Sequence, residues 1–196
     1  MKTLPESILE HSRQLPEGDM LSPKDFLHLG SRAAVDQAFS RLAKAGQLIR
    51  AARGLYVSSI AGQGGQGAPA MDKVIRGLAS KNQEEIALDG ARSAHMLGLS
   101  AQAPGGEVFL TSGRTRTLKV GDVTAEVRHA PKWMLLLGAT TAGAVIRALA
   151  WLGEAHVGAV MEKLRQQLAP IDWQALGSVR SLLPSWMALA IGREVV

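Results

Sequence analysis

The stretch from Ser22 to Val57, SPKDFLHLGSRAAVDQAFSRLAKAGQLIRAARGLYV, constrains this chain more than any other. Ser22 can cap a short helix, with Pro23 at its first position, where a missing N–H removes no hydrogen bond. Leu29-Gly30 then leads to Ser31, a second cap, and a longer helix that stops at Gly46, a residue suited to a left-handed C-terminus. Val35, Ala38, Phe39, Leu42 and Ala45 recur at three- and four-residue spacing and form one apolar stripe. The other faces carry Arg32, Ala33, Asp36, Gln37, Ser40, Arg41 and Lys44. These are forked or amide donors beside small side chains, the types that read a DNA groove. A helix of about 22 Å is long enough to lie across a major groove.

Two short apolar runs follow. Gln47-Leu48-Ile49 and Leu55-Tyr56-Val57 read as paired strands, joined by a basic turn from Arg50 to Gly54. Helix, turn, helix, hairpin is the order of parts in a winged helix-turn-helix. Arg50 and Arg53 would sit near a phosphate backbone or a minor groove. Between Lys24 and Arg53 six basic residues face two acids, which accounts for most of the chain's formal charge of +5. The expected contacts to double-stranded DNA are Arg32, Gln37, Ser40, Arg41 and Lys44 from the helix and Arg50 and Arg53 from the wing. Ser31 serves mainly as the cap, although its helix N-terminus can also sit on a phosphate. About five phosphate contacts would give a slope of log K against log salt near −4 to −5. For each charge, a solvated helix face is the alternative.

Composition sets the outer bounds. The chain has 196 residues, 46% of them hydrophobic and 20% charged, which is the balance of a folded chain of one or two domains. There are no cysteines, which removes disulfides and thiolate chemistry and fits a cytoplasmic location. The N-terminus carries Pro5, Glu6 and Glu10 where an export signal needs an apolar core. The segment Trp133–Leu152 is apolar, but Arg147 interrupts it and its centre is Gly, Ala and Thr. It reads as a buried helix, broken near Gly138, and no membrane partner is expected.

The expected domains are 1–60, a Gly-rich linker at 61–69, and 70–196. Four glycines in AGQGGQGAP disfavour helix and strand alike. A phosphate-gripping loop would need Lys-Ser or Lys-Thr after the glycines, and Ala-Pro-Ala stands there instead. Beyond the linker, Met71–Ala79 reads as a helix with Met71, Val74, Ile75 and Leu78 on one face. Asp89 can cap a helix that contains Ala94, Met96 and Leu97 and ends near Gly98. Glu107–Thr111 reads as a strand, and 114–120 with 123–129 as a hairpin about Gly121-Asp122. Helices are expected over 132–153, 156–168 and 183–191. The fold class is therefore α+β: an N-terminal winged helix-turn-helix, then a mixed α/β C-terminal domain with a short antiparallel sheet and terminal helices.

A second basic group comprises Arg114, Arg116, Lys119, Arg128 and Lys132. Residues two apart on a strand share a face, as Arg114 and Arg116 do. This patch extends a DNA footprint, meets RNA or an acidic partner, or is a solvated sheet face. Catalysis is not expected. His11, His28, His95, His129 and His156 form no metal-spaced pair, and Ser93 beside His95 lacks a nucleophile-elbow context. No metal or cofactor is expected. Trp151 and Trp186 fall among apolar helical residues and are expected in the core.

Ser31 to Ala38, Leu42 to Gly46, and Ile49-Arg50 with Arg53-Gly54-Leu55-Tyr56 together resemble the winged-helix half of the AbiEi-like antitoxins. These are transcriptional regulators of bacterial toxin–antitoxin and abortive-infection loci. Val108 to Gly113 with Arg116, Glu126-Val127-Arg128, Ile146 to Leu149 with Trp151-Leu152-Gly153, and Leu183 to Met187 are similar to that family's C-terminal region. The resemblance implies a protein that binds repeats in its own promoter and represses its operon. It also implies that the C-terminal domain counters a nucleotidyltransferase-like toxin, with or without stable contact to it. Two other readings stay open: a toxin-masking interaction module with secondary DNA binding, and a ligand-responsive repressor. A homodimer would fit, because paired winged helices commonly read repeats.

Overall fold

The computed structural model describes residues 2–62 and 65–195. The chain is mixed α/β, with eight α-helices and short antiparallel sheets among those residues. It divides into two compact units, residues 1–84 with 117–125 and residues 85–116 with 126–196.

The first unit opens with α1 (Leu4–Gln14), for which no helix is expected above. Its signal is present in the sequence. Thr3 stands three residues before Glu6, and the Glu6 carboxylate accepts from the Thr3 backbone N–H at 2.7 Å, half of a capping box. Strand β1 (Met20–Leu21) follows, and then a single 3-10 turn at Pro23–Phe26 where a short α-helix is expected. Ser22 caps that turn through Lys24 N–H, and Asp25 returns the bond to Ser22 N–H at 2.9 Å. The turn ends at once because Leu29 N–H bonds back to the Phe26 carbonyl at 2.9 Å, just ahead of Gly30 and the next cap.

Helix α2 (Arg32–Lys44) is capped by Ser31, whose Oγ accepts from Ala34 N–H at 3.3 Å. Val35, Ala38, Phe39 and Leu42 are buried, whereas Ala45 lies just past the helix and is exposed. Gly46 takes φ +71° and turns the chain into β2 (Leu48–Ala52) and β3 (Leu55–Ser58). The strands are longer than expected, and the turn shrinks to Arg53-Gly54, with Gly54 at φ +72°. The register shifts between Arg50 and Ala52, which lets Leu48 and Ala51 both face inward although they stand three positions apart. The antiparallel sheet has the order β1-β3-β2.

A line of aromatic rings holds α1, the turn, α2 and the sheet together. His11 meets Phe26 edge-on at 5.3 Å, Phe26 meets Phe39 at 5.5 Å, and Phe39 meets Tyr56 at 4.8 Å. Such pairs add about 0.5–1.5 kcal/mol each beyond the area they bury.

The Gly-rich segment is not an unstructured linker. β4 (Ile60–Gly62) and β5 (Gly65–Gly67) pair antiparallel, Ile60 opposite Gly67 and Gly62 opposite Gly65. Gln63 and Gly64, at the middle of the expected linker, lie outside the described residues. Backbone pairing needs no side chain, so glycine costs these strands entropy without forbidding them. α3 (Met71–Asn82) follows, with Met71, Val74, Ile75 and Leu78 buried as the periodicity predicts. It belongs to the first unit, where the sequence assigns it to the second domain. Gly77 and Gly18 explain this. A Cβ on Gly77 would stand 2.4 Å from the Gly18 carbonyl oxygen, so the backbones meet directly. Lys73 pairs with Glu17, and Lys81 with Asp25 at 2.6 Å, on either side of that approach.

The second unit contains β6 (Ile86–Leu88), α4 (Gly90–Met96) and β7 (Glu107–Thr111). Asp89 caps α4 through Arg92 N–H at 2.9 Å. β8 (Arg116–Val120) and β9 (Val123–His129), whose residues 117–125 are counted in the first unit, belong to the same four-stranded sheet, in the order β6-β7-β9-β8, with Gly121 at φ +61° in the hairpin turn. A 3-10 turn at Lys132–Leu135 precedes α5 (Thr141–Leu152). Leu137 and Gly138 both take positive φ between them, so the expected helix over 132–153 is broken near Gly138. α6 (Val157–Gln167), α7 (Pro170–Val179) and α8 (Ser185–Gly192) finish the unit. α7 has no counterpart in the sequence expectations, because its apolar residues run round the helix without a period.

Val145, Ile146, Leu149, Leu164, Leu176, Met187 and Ile191 form the helical core. Residues 142–149 of α5 are all buried, Arg147 among them. No single helix among the described residues is long and apolar enough to cross a membrane; α5 and the helical segment after it pass only as a pair, bent by 109°. Trp151 departs from expectation. It is 49% exposed, because Gly90 packs against its Cβ and leaves the ring outside. Trp186 is half-buried against the helical core.

Candidate nucleic-acid interface

The outer face of α2 is built from Gln37, Ser40, Arg41 and Lys44. Their spacing of i, i+3, i+4 and i+7 sets them in one line, and all four are exposed. The line exists because Val35, Ala38, Phe39 and Leu42 turn the opposite face into the aromatic core. Arg41 and Lys44 have no ion-pair partner among the described residues, so both charges are available. They also stand in the last turn, where a cation is favoured by the helix dipole.

Arg32 is different. Its Nε donates to Asp36 Oδ2 at 2.9 Å, one turn along the same helix. A DNA phosphate would have to compete with that carboxylate, although an exposed pair of this kind is worth under about 1 kcal/mol. Ser31 Oγ is committed to its cap.

The hairpin places Arg50 opposite Tyr56 in the register, with its side chain exposed, and Arg53 in the turn beside Gly54. A Cβ on Gly54 would meet nothing within 4 Å, so the tip is open. Neither arginine has an ion-pair partner among the described residues. Lys24, exposed on the 3-10 turn before α2, was counted in the charge balance but not among the expected contacts; its signal is its place directly after Pro23.

The second basic group is dispersed. Leu118 and Val120 face inward on β8, so Lys119 points outward while Arg116, of the same parity as Leu118, lies on the other face and is partly buried. Arg128 is exposed but its Nε donates to Glu126 at 2.7 Å. Arg114 precedes the strand and Lys132 opens the following 3-10 turn, both exposed.

The histidines are mostly tied to the local fold. Nδ1 of His129 contacts the Gly113 carbonyl at 2.8 Å, that of His156 the Leu152 carbonyl at 2.8 Å, and that of His95 the Ser100 carbonyl at 3.3 Å. His11 lies against Phe26, and His28 is exposed. No group of three or more His, Asp or Glu residues among the described residues is placed to hold a metal ion.

With this geometry in view, the chain belongs to the DUF6088 family, a family of unknown function, whose model matches residues 7–172. The match begins within α1 and ends within α7, so it takes in the α2 line, the Arg53-Gly54 turn and the four-stranded sheet. No curated protein and no solved structure matches the chain.

Proposed function

We propose that α1 to β3 form a winged helix-turn-helix and that the protein is a DNA-binding transcriptional autorepressor and antitoxin of a toxin–antitoxin locus, working in the cytoplasm. The observation that carries the DNA half is the α2 line. Gln37, Ser40, Arg41 and Lys44 stand exposed on a capped helix of 13 residues, followed by a hairpin whose open tip holds Arg53-Gly54. An amide and a guanidinium can each make bidentate bonds to base edges, while a lysine meets phosphate as a point charge. The order β1-β3-β2 supports the wing, since β1 pins the hairpin from the far edge.

The antitoxin half rests on the resemblance of the second unit. Its partner would be a nucleotidyltransferase-like toxin, and the chain would act as a regulator without catalysing a reaction. Two assays test the halves separately. In a reporter driven by the chain's own upstream DNA, the wild type should repress, and Arg41→Ala with Lys44→Ala should relieve repression at equal protein level. Unrelieved repression would overturn the role of α2. Co-expression with the neighbouring toxin gene should restore growth even with the double variant; persistent toxicity with wild type would overturn the antitoxin half.

A further inference from the structure

The second unit holds a cleft of about 500 Å³ between α4, the end of β6 and the start of β7. That is within the range of small-molecule sites. Its apolar walls are Leu88, Met96 and Pro104. Met96 is 57% exposed, a large apolar side chain left at the rim. Arg92 and Glu107 form an ion pair at the cleft, and the Arg92 guanidinium carbon stands 5.5 Å from the centre of the Phe109 ring. The guanidinium is thereby held from two directions, by a carboxylate and by an aromatic face.

The pair leaves the cleft with no net charge, which disfavours a phosphate or a carboxylate as its occupant. Its polar edges are specific in kind. Arg92 engages Glu107 Oε2, and Oε1 has no hydrogen-bond partner among the described residues. The Ser100 carbonyl can only accept, so His95 Nδ1 donates to it at 3.3 Å, and the tautomer that makes this bond presents Nε2 as a second acceptor. A flat molecule that stacks on a guanidinium and donates from an amino edge satisfies every one of these groups.

We propose that this cleft binds a nucleobase that carries an amino group, stacked on Arg92 and donating to Glu107 Oε1 or His95 Nε2. The base can belong to a free nucleoside or to a single strand. Both present the same chemistry to the cleft.

Gly106 supplies the test. It lines the cleft, it does not adopt a positive φ, and a Cβ there would meet nothing within 4 Å. Gly106→Leu should therefore fold and set a bulky side chain at the cleft. Binding of adenosine, guanosine, cytidine and uridine is measured on the full chain by saturation-transfer NMR, with a mixed-sequence single-stranded oligonucleotide as the second arm. Saturable binding of an amino-bearing nucleoside is expected, with uridine about tenfold weaker and all binding lost in Gly106→Leu. Glu107→Gln, which keeps the shape, should narrow the gap between amino-bearing bases and uridine. Tighter binding of the oligonucleotide, also lost in Gly106→Leu, would support the site and assign the base to a strand. Failure of every nucleoside and the oligonucleotide to saturate, or binding that survives Gly106→Leu, would overturn the proposal.

Discussion

Helices α2 and α5 are nearly equal in length and both carry a hydroxyl cap, Ser31 on one and Thr140 on the other. They treat charge in opposite ways. α2 buries one stripe and leaves Arg41 and Lys44 in solvent, without ion-pair partners among the described residues. α5 buries eight consecutive residues and takes its only charge inside with them. Arg147 is 1% exposed, its Nη1 makes a long bond of 3.5 Å to the Met134 carbonyl, and its Nε has no hydrogen-bond partner among the described residues. Burial pushes its guanidinium down from the ordinary arginine range to about 10. α2 thus leaves Arg41 and Lys44 in solvent, while α5 withholds Arg147 from it.

That contrast can be broken in four ways. The largest effect should come from Phe39→Ala. It removes the ring at the middle of the His11–Phe26–Phe39–Tyr56 line and should cost about 3–5 kcal/mol, read as a fall in the denaturant midpoint. A loss under about 1 kcal/mol would mean that the aromatic line does not hold the first unit.

Gly77→Ala comes next, at about 2 kcal/mol, because its Cβ would meet backbone atoms that cannot swing aside. A neutral result would detach α3 from the first unit and restore a boundary near residue 70.

Arg147→Met should be neutral or more stable by about 1 kcal/mol at pH 7, since it replaces a buried cation that lacks a carboxylate with an apolar chain of similar reach. The sign with pH follows from the lowered value. The folded state carries the cost of the buried cation below about 10, and that cost is relieved as pH rises through about 10 towards the ordinary arginine range. The advantage of the variant, followed by thermal unfolding, should therefore be full at pH 7 and shrink above 10. Strong destabilisation by Arg147→Met would show that the guanidinium has a structural partner after all.

The smallest effect is at acid pH. Hydrogen bonds from Lys73 hold the Glu17 carboxyl below its ordinary value in the first unit, and those from Arg165 do the same for Glu194 in the second. Their stabilisation is present above the ordinary carboxylate value of 4.5 and is lost as pH falls through the lowered values. Lys73→Ala should remove part of the acid sensitivity, and high salt should mask the difference because both pairs reach solvent.

Legibility followed how far each element's chemistry is local. Ser31, Gly46 and Asp89 mark helix ends through bonds to neighbours two or three residues away, and the structure places those bonds where the caps predict. β7 and the hairpin at Gly121 were also readable from alternation and a turn residue. What failed was decided at a distance. α3 joins the first unit through Gly18, some sixty positions away, and β1 is two residues whose pairing with Val57 and Tyr56 has no local signature. Gly62, Gly65 and Gly67 pair against expectation because propensity says nothing about a backbone partner. On the candidate interface, the exposed α2 line was legible from period alone. The Arg32–Asp36 pair is legible too, from its i, i+4 spacing. The dispersal of the second basic group required knowing that Arg116 shares a face with Leu118.

The central claim is that α2 and the hairpin tip read specific DNA, and a salt-dependent titration against the chain's own upstream DNA tests it most directly, with scrambled DNA as the control. Arg41, Lys44, Arg50 and Arg53 of α2 and the hairpin are exposed and have no ion-pair partner among the described residues, so the account predicts tight specific binding with a slope of log K against log salt near −4. It also predicts loss of specificity in Arg41→Ala with the fold intact. Equal, weak binding to both DNAs, or an Arg41→Ala variant that binds like wild type, would contradict it.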